Sequence, residues 1–158
     1  MCIRDSAKMA CPEREVVAVI GDGGYQMTIQ ELGTIFQSKV PVKIVVLNNS
    51  FLGMVRQWQQ LFFEKRYAST ELVNPDFTAI AKAYYIKSKK VSKRKELATA
   101  VEEMIKSKES FFLEVVVEKE ANVFPMIPSG AAVSDISCLL YTSPSPRDRS
   151  LSRMPSSA

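Results

Sequence analysis

Three apolar runs constrain this chain more than any other feature: residues 16–20 (VVAVI), 42–47 (VKIVVL) and 111–117 (FFLEVVV). Each is short and continuous rather than alternating, the pattern of a strand buried on both faces of a parallel sheet. The stretches between them carry helical spacing. Residues 28–37 place Ile29, Leu32, Ile35 and Phe36 on one side, and Pro41 ends that pattern. Residues 52–63 are helical again. Asn74 is the expected N-cap ahead of Pro75, for a helix with Phe77, Ile80, Ala81 and Tyr84 as its apolar face. Val91 closes a short extended piece, and Ser92 is expected to cap a helix to about Lys106, with Leu97, Val101, Met104 and Ile105 facing the core. Strand–helix alternation of this kind predicts an α/β fold: a partial three-layer α/β/α domain around a mostly parallel sheet. Open parallel sheets commonly hold about five or six strands. With three strong strands, the chain is expected to be the back part of a domain.

Composition removes several functions. The chain has no histidine, so imidazole ligands and His-based acid–base chemistry are excluded. Cys2, Cys11 and Cys138 form no CxxC pair and suggest neither a disulfide framework nor a zinc site. The net charge is +4, part of it in Arg147, Arg149 and Arg153 near the end. That is too little for a nucleic-acid surface. The basic cluster at 87–95 (Lys87, Lys89, Lys90, Lys93, Arg94, Lys95) reads as a solvated loop and helix start. No apolar run approaches the length needed to span a bilayer. No membrane partner is expected, and the protein is expected to be soluble and cytoplasmic.

The two ends depart from the pattern. Residues 142–158 hold six serines and three prolines and offer nothing to bury. Residues 1–6 (MCIRDS) show no periodicity. The expected organisation is a non-native flank at 1–6, the folded segment at 7–136, and a disordered, non-native tail at 137–158.

The first strand runs into Gly21-Asp22-Gly23-Gly24, and the second into Asn48-Asn49-Ser50. Asp22 and Asn49 lie 27 residues apart, one helix and one strand, so a βαβ unit brings both to one edge of the sheet. Ligands of parallel α/β sheets bind at that edge. A carboxylate and an amide oxygen are hard ligands suited to Mg²⁺, which completes its shell with phosphate oxygens and water. Glycines let the backbone approach a phosphate with no Cβ in the way. The pattern points to Asp22 holding a cation and the cation holding a diphosphate.

"GDG" followed by "NN" at this distance resembles the thiamine-diphosphate-binding motif. The stretch "GDGGYQMTIQELGTI…PVKIVVLNNSFLGMVRQWQQLFFEKRY" resembles the catalytic subunits of the acetolactate synthase (acetohydroxyacid synthase) family, as does "FPMIPSGAAVSDI". The resemblance covers about residues 7–136. It implies cofactor contacts from Gly21, Asp22, Gly23, Gly24, Asn49, Phe51, Leu52, Gly53 and Met54. Mg²⁺ would be held by the side chains of Asp22 and Asn49 and by the backbone carbonyl of Phe51. Family members often carry His at the Phe51 position, a change that a backbone ligand tolerates. A substrate channel would be lined by Met54, Val55, Trp58 and Ser129, with Trp58 at a position linked to acceptor choice. Without the resemblance, Trp58 would read as core.

The implied reaction condenses pyruvate with a second 2-keto acid, pyruvate or 2-ketobutyrate. It yields 2-acetolactate or 2-aceto-2-hydroxybutyrate for valine, leucine and isoleucine synthesis. The implied cofactors are thiamine diphosphate and Mg²⁺, with FAD in the full-length enzyme but not on this segment. The implied partners are further catalytic subunits, in a homodimer or homotetramer, and a small regulatory subunit. The family's activating glutamate belongs to a domain outside this chain, so no catalytic residue is assigned and the segment is expected to be inactive alone. Two other readings stay open: another thiamine-diphosphate decarboxylase, oxidase or carboligase, and a non-catalytic phosphate-binding α/β module.

Overall fold

The computed structural model describes residues 3–127 and 130–137. It divides into two compact units, Met1–Ala121 and Asn122–Ala158. The second contains a short antiparallel bridge, Met126 to Ser137, and a 3-10 turn, Val133–Asp135.

The first unit is built on four parallel strands, β1 (Val17–Gly21), β2 (Lys43–Asn48), β3 (Lys87–Val91) and β4 (Phe111–Val116), in the order β1-β2-β4-β3. The three apolar runs form β1, β2 and β4; β2 and β4 are buried on both faces as expected, whereas β1 is not. Among the described residues α1 (Ile3–Ala10) leads into β1, and five helices connect the strands: α2 (Asp22–Gln26), α3 (Glu31–Ser38), α4 (Gly53–Phe62), α5 (Phe77–Ala83) and α6 (Arg94–Lys106). One face of the sheet presents Ile44, Val46 and Phe112 to Tyr25 of α2, Leu32 and Ile35 of α3, and Phe77 and Ala81 of α5. The other presents Val45, Phe111, Leu113 and Val115 to Ala100 and Met104 of α6. Each fully buried Val, Leu, Ile, Phe or Met side chain among them contributes roughly 1.5–3 kcal/mol. The layered α/β architecture with a parallel sheet is as expected. On β1, an edge strand among the described residues, Val17 and Val19 stay partly exposed.

Several local expectations need correction. The lysine-rich stretch is not a loop: residues 87–91 form the edge strand β3. Lys87 and Lys89 bind the two carboxylate oxygens of Glu103 on α6 at 2.8 and 2.7 Å. These two hydrogen bonds hold the Glu103 carboxyl down to about 2. The helix expected at 28–37 begins later, as α3 at Glu31, and a separate short helix that was not expected, α2, begins at Asp22 inside the glycine cluster. Asn74 does not cap α5. Asp76 does, accepting from Ala79 N–H at 3.0 Å and from the Thr78 hydroxyl at 2.7 Å. The Thr78 bond first, then the Ala79 bond, lowers the Asp76 pKa. Lys93, not Ser92, precedes α6. The buried stripe of that helix runs through Ala100 and Met104, while Val101 and Ile105 face outward. Residues 3–6, expected to lie outside the fold, form the first half of α1, with Asp5 buried.

Cys11 is a free, exposed thiol. No helix among the described residues is long and apolar enough to cross a membrane.

Candidate functional site

Parallel register sets Gly21 of β1 opposite Leu47 of β2, so the turns after both strands leave the sheet side by side. Asp22 sits between them, 1% exposed. Its Oδ1 accepts from Gly23 N–H at 3.0 Å, and its Oδ2 accepts from Ser50 N–H at 2.8 Å and from the Asn74 amide at 2.7 Å. A buried carboxylate needs such donors to offset desolvation. Three donors leave room for another partner among the roughly four lone-pair sites of the group.

The turn after β2 is shaped by both asparagines. Asn49 Oδ1 accepts from Phe51 N–H at 3.2 Å, an Asx-type turn. Ser50 adopts φ 56°, a left-handed conformation that costs a non-glycine residue on the order of 1 kcal/mol. That conformation aims the Ser50 N–H at Asp22 Oδ2 and, at 3.1 Å, at Asn48 Oδ1. The segment is then pinned to a following loop: Leu52 N–H donates to Thr70 at 2.8 Å, and Leu72 N–H donates to Ser50 at 2.8 Å.

Gly23 is closely covered by two leucine side chains that a side chain here would have to displace. A Cβ there would stand 2.6 Å from Leu52 Cδ2 and 3.2 Å from Leu72 Cδ1. At Gly53 a Cβ would stand 3.3 Å from the Asn49 amide nitrogen. Gly21 and Gly24 border open space. Gly21 is extended, with φ −76° and ψ 159°, and delivers the chain from β1 into α2.

Helix α4 turns its polar side inward. Arg56 and Gln57 are buried, whereas Met54 and Val55 are about half exposed. Trp58 is half-buried against Phe62, ring centroids 4.8 Å apart, and belongs to neither core cluster. The core reading of Trp58 is thereby set aside. Arg56 lies between the rings of Phe51 and Tyr67 at 5.3 and 5.0 Å and pairs with Glu120 at 3.3 Å. These side chains, with residues 68–71, line an open cavity of about 430 Å³. Ser129 lies outside the described residues.

The structure thus brings Asp22, Gly23, the Asn49 turn and Leu52 together. It also recruits residues that sequence reasoning missed. Asn48 joins Asp22 through Asn74, whose amide donates to Asn48 Oδ1 at 2.9 Å and to Asp22 Oδ2. Gln26 donates to Asn74 Oδ1 at 2.6 Å. Asn48 in turn donates to Glu114 at 2.8 Å. A signal existed for Glu114: an acidic residue inside an apolar run must find a partner. Asn74 gave none, because an Asn before a Pro-initiated helix reads first as a cap. Among the described residues no three His, Cys, Asp or Glu side chains converge on a metal position. A cation here would rely on amide and backbone oxygens beside the single Asp22 carboxylate. That donor set suits a hard ion such as Mg²⁺.

Residues 6–115 match the family described as "Thiamine pyrophosphate enzyme, C-terminal TPP binding domain". The chain is 42% identical over 131 residues to the acetolactate synthase isozyme 2 large subunit of Escherichia coli (strain K12), covering 82% of this chain and 24% of that protein. It is 41% identical over 129 residues to the mitochondrial acetolactate synthase catalytic subunit of Saccharomyces cerevisiae, covering 82% and 19%. It is 40% identical over 137 residues to the acetolactate synthase large subunit of Lactococcus lactis, covering 86% and 24%. The thiamine diphosphate-dependent 4-hydroxybenzoylformate decarboxylase of Rhodococcus jostii RHA1 superposes with a TM-score of 0.68 at 26% identity, over 73% of this chain and 22% of that one. The chain spans about a quarter or less of the length of these relatives.

Proposed function

This chain belongs to the family of thiamine pyrophosphate enzymes, in their C-terminal TPP-binding domain, and from that premise we propose that it forms the magnesium–diphosphate end of an acetolactate synthase catalytic subunit. Asp22 and Asn49, through their side-chain oxygens, and Phe51, through its carbonyl, hold Mg²⁺. Gly21, Gly23, Gly24, Leu52, Gly53 and Met54 border the cofactor. The observation that carries this reading is the Asp22 carboxylate, buried and oriented by three donors yet with acceptor capacity to spare, beside a Gly23 closely covered by Leu52 and Leu72.

Bound thiamine diphosphate supplies a carbon nucleophile and takes up the electrons released when pyruvate loses CO₂. The chain's residues supply position. The Ser50 and Asn74 donors fix the Asp22 carboxylate before the cation arrives, so little ordering cost remains at binding. Leu52 fills the space over Gly23, and the outward face of α4, with Met54, Val55 and Trp58, is left for substrate. In this reading Trp58 and Ser129 border the acceptor, either pyruvate or 2-ketobutyrate. FAD belongs to the whole enzyme, which assembles from two or four catalytic subunits. The relatives' naming as large subunits supports a small-subunit partner.

A graft tests the activity. Residues 7–136 of this chain replace the matching segment of the Escherichia coli isozyme 2 large subunit, and acetolactate formation from pyruvate is measured. The graft should be active. Trp58→Leu within it should change the preference between pyruvate and 2-ketobutyrate while leaving thiamine diphosphate affinity unchanged. A folded graft that binds the cofactor and makes no acetolactate contradicts the assignment.

A further inference from the structure

The polar chain behind Asp22 has a direction. Glu114 lies inside β4 and is fully buried. Its Oε1 accepts from Lys90 of the neighbouring strand and from the Asn48 amide, both at 2.8 Å. Its Oε2 is buried with no hydrogen-bond partner. An ionised carboxylate accepts and never donates. It therefore forces the Asn48 NH₂ toward itself and the Asn48 oxygen the other way. That oxygen accepts from the Ser50 N–H at 3.1 Å and from the Asn74 NH₂ at 2.9 Å, and the same NH₂ donates to Asp22 at 2.7 Å. Gln26 fixes the far side of Asn74 by donating to its oxygen. Were Asn48 reversed, its NH₂ would confront the Asn74 NH₂. Asn74 would then have to turn its oxygen toward the Asp22 carboxylate, replacing a donor with a repulsion.

We propose that Glu114 is a positioning residue that sets the polarity of the Asn48–Asn74 amide chain and so keeps a donor, rather than an acceptor, on Asp22. This rests on the reading of Asp22 as the anchor of the Mg²⁺–diphosphate group.

The test combines two single variants with a double variant designed to rescue one of them, all in the intact chain. Glu114→Met keeps the side-chain length and removes the acceptor. Asn48→Asp sets two carboxylates face to face. Glu114→Gln added to Asn48→Asp restores a donor–acceptor pair, because the new amide can donate to the new carboxylate. Two readouts are followed: Mg²⁺-dependent affinity for thiamine diphosphate by calorimetry, and the NMR signals of the Asn74 side-chain amide and the Ser50 backbone N–H. Glu114→Met and Asn48→Asp should each weaken affinity about 10- to 100-fold, as loss of an outer partner of a metal ligand does, and should shift both signals. The double variant should return affinity to within about threefold of the original and return both signals. Unchanged Asn74 and Ser50 signals in Glu114→Met would overturn the proposal. So would a double variant that regains its thermal midpoint without regaining affinity. An unmodified chain that binds no thiamine diphosphate would defeat the cofactor reading alone, and the amide signals would still decide the polarity claim.

Discussion

At the amino end of the sheet, Lys43 is fully buried and its ammonium donates to the carbonyls of Ser107 and Glu109, both at 2.6 Å. Toward the carboxyl end, Asp22 and Glu114 are buried as well, but their partners are side chains and turn amides drawn from four separate segments. The first arrangement is local: two neighbouring carbonyls hold one cation. Burial still lowers the Lys43 pKa, so the site tolerates the charge without favouring it. The second is long-range and open. It leaves Glu114 Oε2 and the Tyr25 hydroxyl unpaired, and it holds Ser50 in a left-handed conformation. Burial also pushes the Tyr25 phenol up. Stability alone explains the first end. The second accepts strain and unpaired groups, which is what a preformed binding site looks like.

If the amino end is purely structural, Lys43→Met should have the largest effect on folding. It removes a charged donor from two partly buried carbonyls and should lower stability by about 2 kcal/mol in urea titrations, with cofactor affinity unaltered. A loss of affinity without a loss of stability would break the contrast. Tyr25→Phe should move the other way, gaining about 1 kcal/mol by removing an unpaired buried hydroxyl. A destabilised variant would mean that the carboxyl end is tuned for stability too. Asp76→Ala should lower the unfolding midpoint modestly through loss of the α5 cap, whereas Asn74→Ala should spare α5 and weaken Mg²⁺-dependent binding. The reverse result would return Asn74 to the capping role. The smallest effect belongs to neither end. Glu103 is held at about 2, below its ordinary 4.5. Its folded pKa is the depressed one, so its stabilising share is present above pH 4.5 and is lost as pH falls toward 2. Glu103→Gln should flatten the acid limb of the stability–pH profile over that window.

Much of this was legible in the chain. Continuous apolar runs announced β1, β2 and β4, and a spacing of one helix and one strand announced that the Gly21–Asp22 and Asn48–Asn49 turns would meet. Strand β3 was hidden because Lys87, Lys89 and Lys90 carry the polarity of a loop. Only in three dimensions do Glu103 and Glu114 neutralise them. The start of α2 was hidden because Gly23 and Gly24 oppose helix formation, and tertiary packing of Tyr25 overrides that propensity. At the site, single residues with direct ligand chemistry stood out in the sequence. Those that act through another residue did not: Asn48, Asn74 and Glu114 are linked by contacts across 26 and 66 positions of sequence. No local pattern encodes such pairs.

The central claim is that the buried Asp22 carboxylate anchors a cation that holds a diphosphate. The most direct measurement is a titration of the chain with thiamine diphosphate, with and without Mg²⁺, followed through the fluorescence of Trp58, the single tryptophan. The original chain should bind only when Mg²⁺ is present. Asp22→Asn, nearly the same in shape but neutral, should lose about 100-fold or more in affinity while its unfolding midpoint in urea stays close to the original. Binding that is indifferent to Mg²⁺, or an Asp22→Asn chain that binds as tightly as the original, would contradict the account.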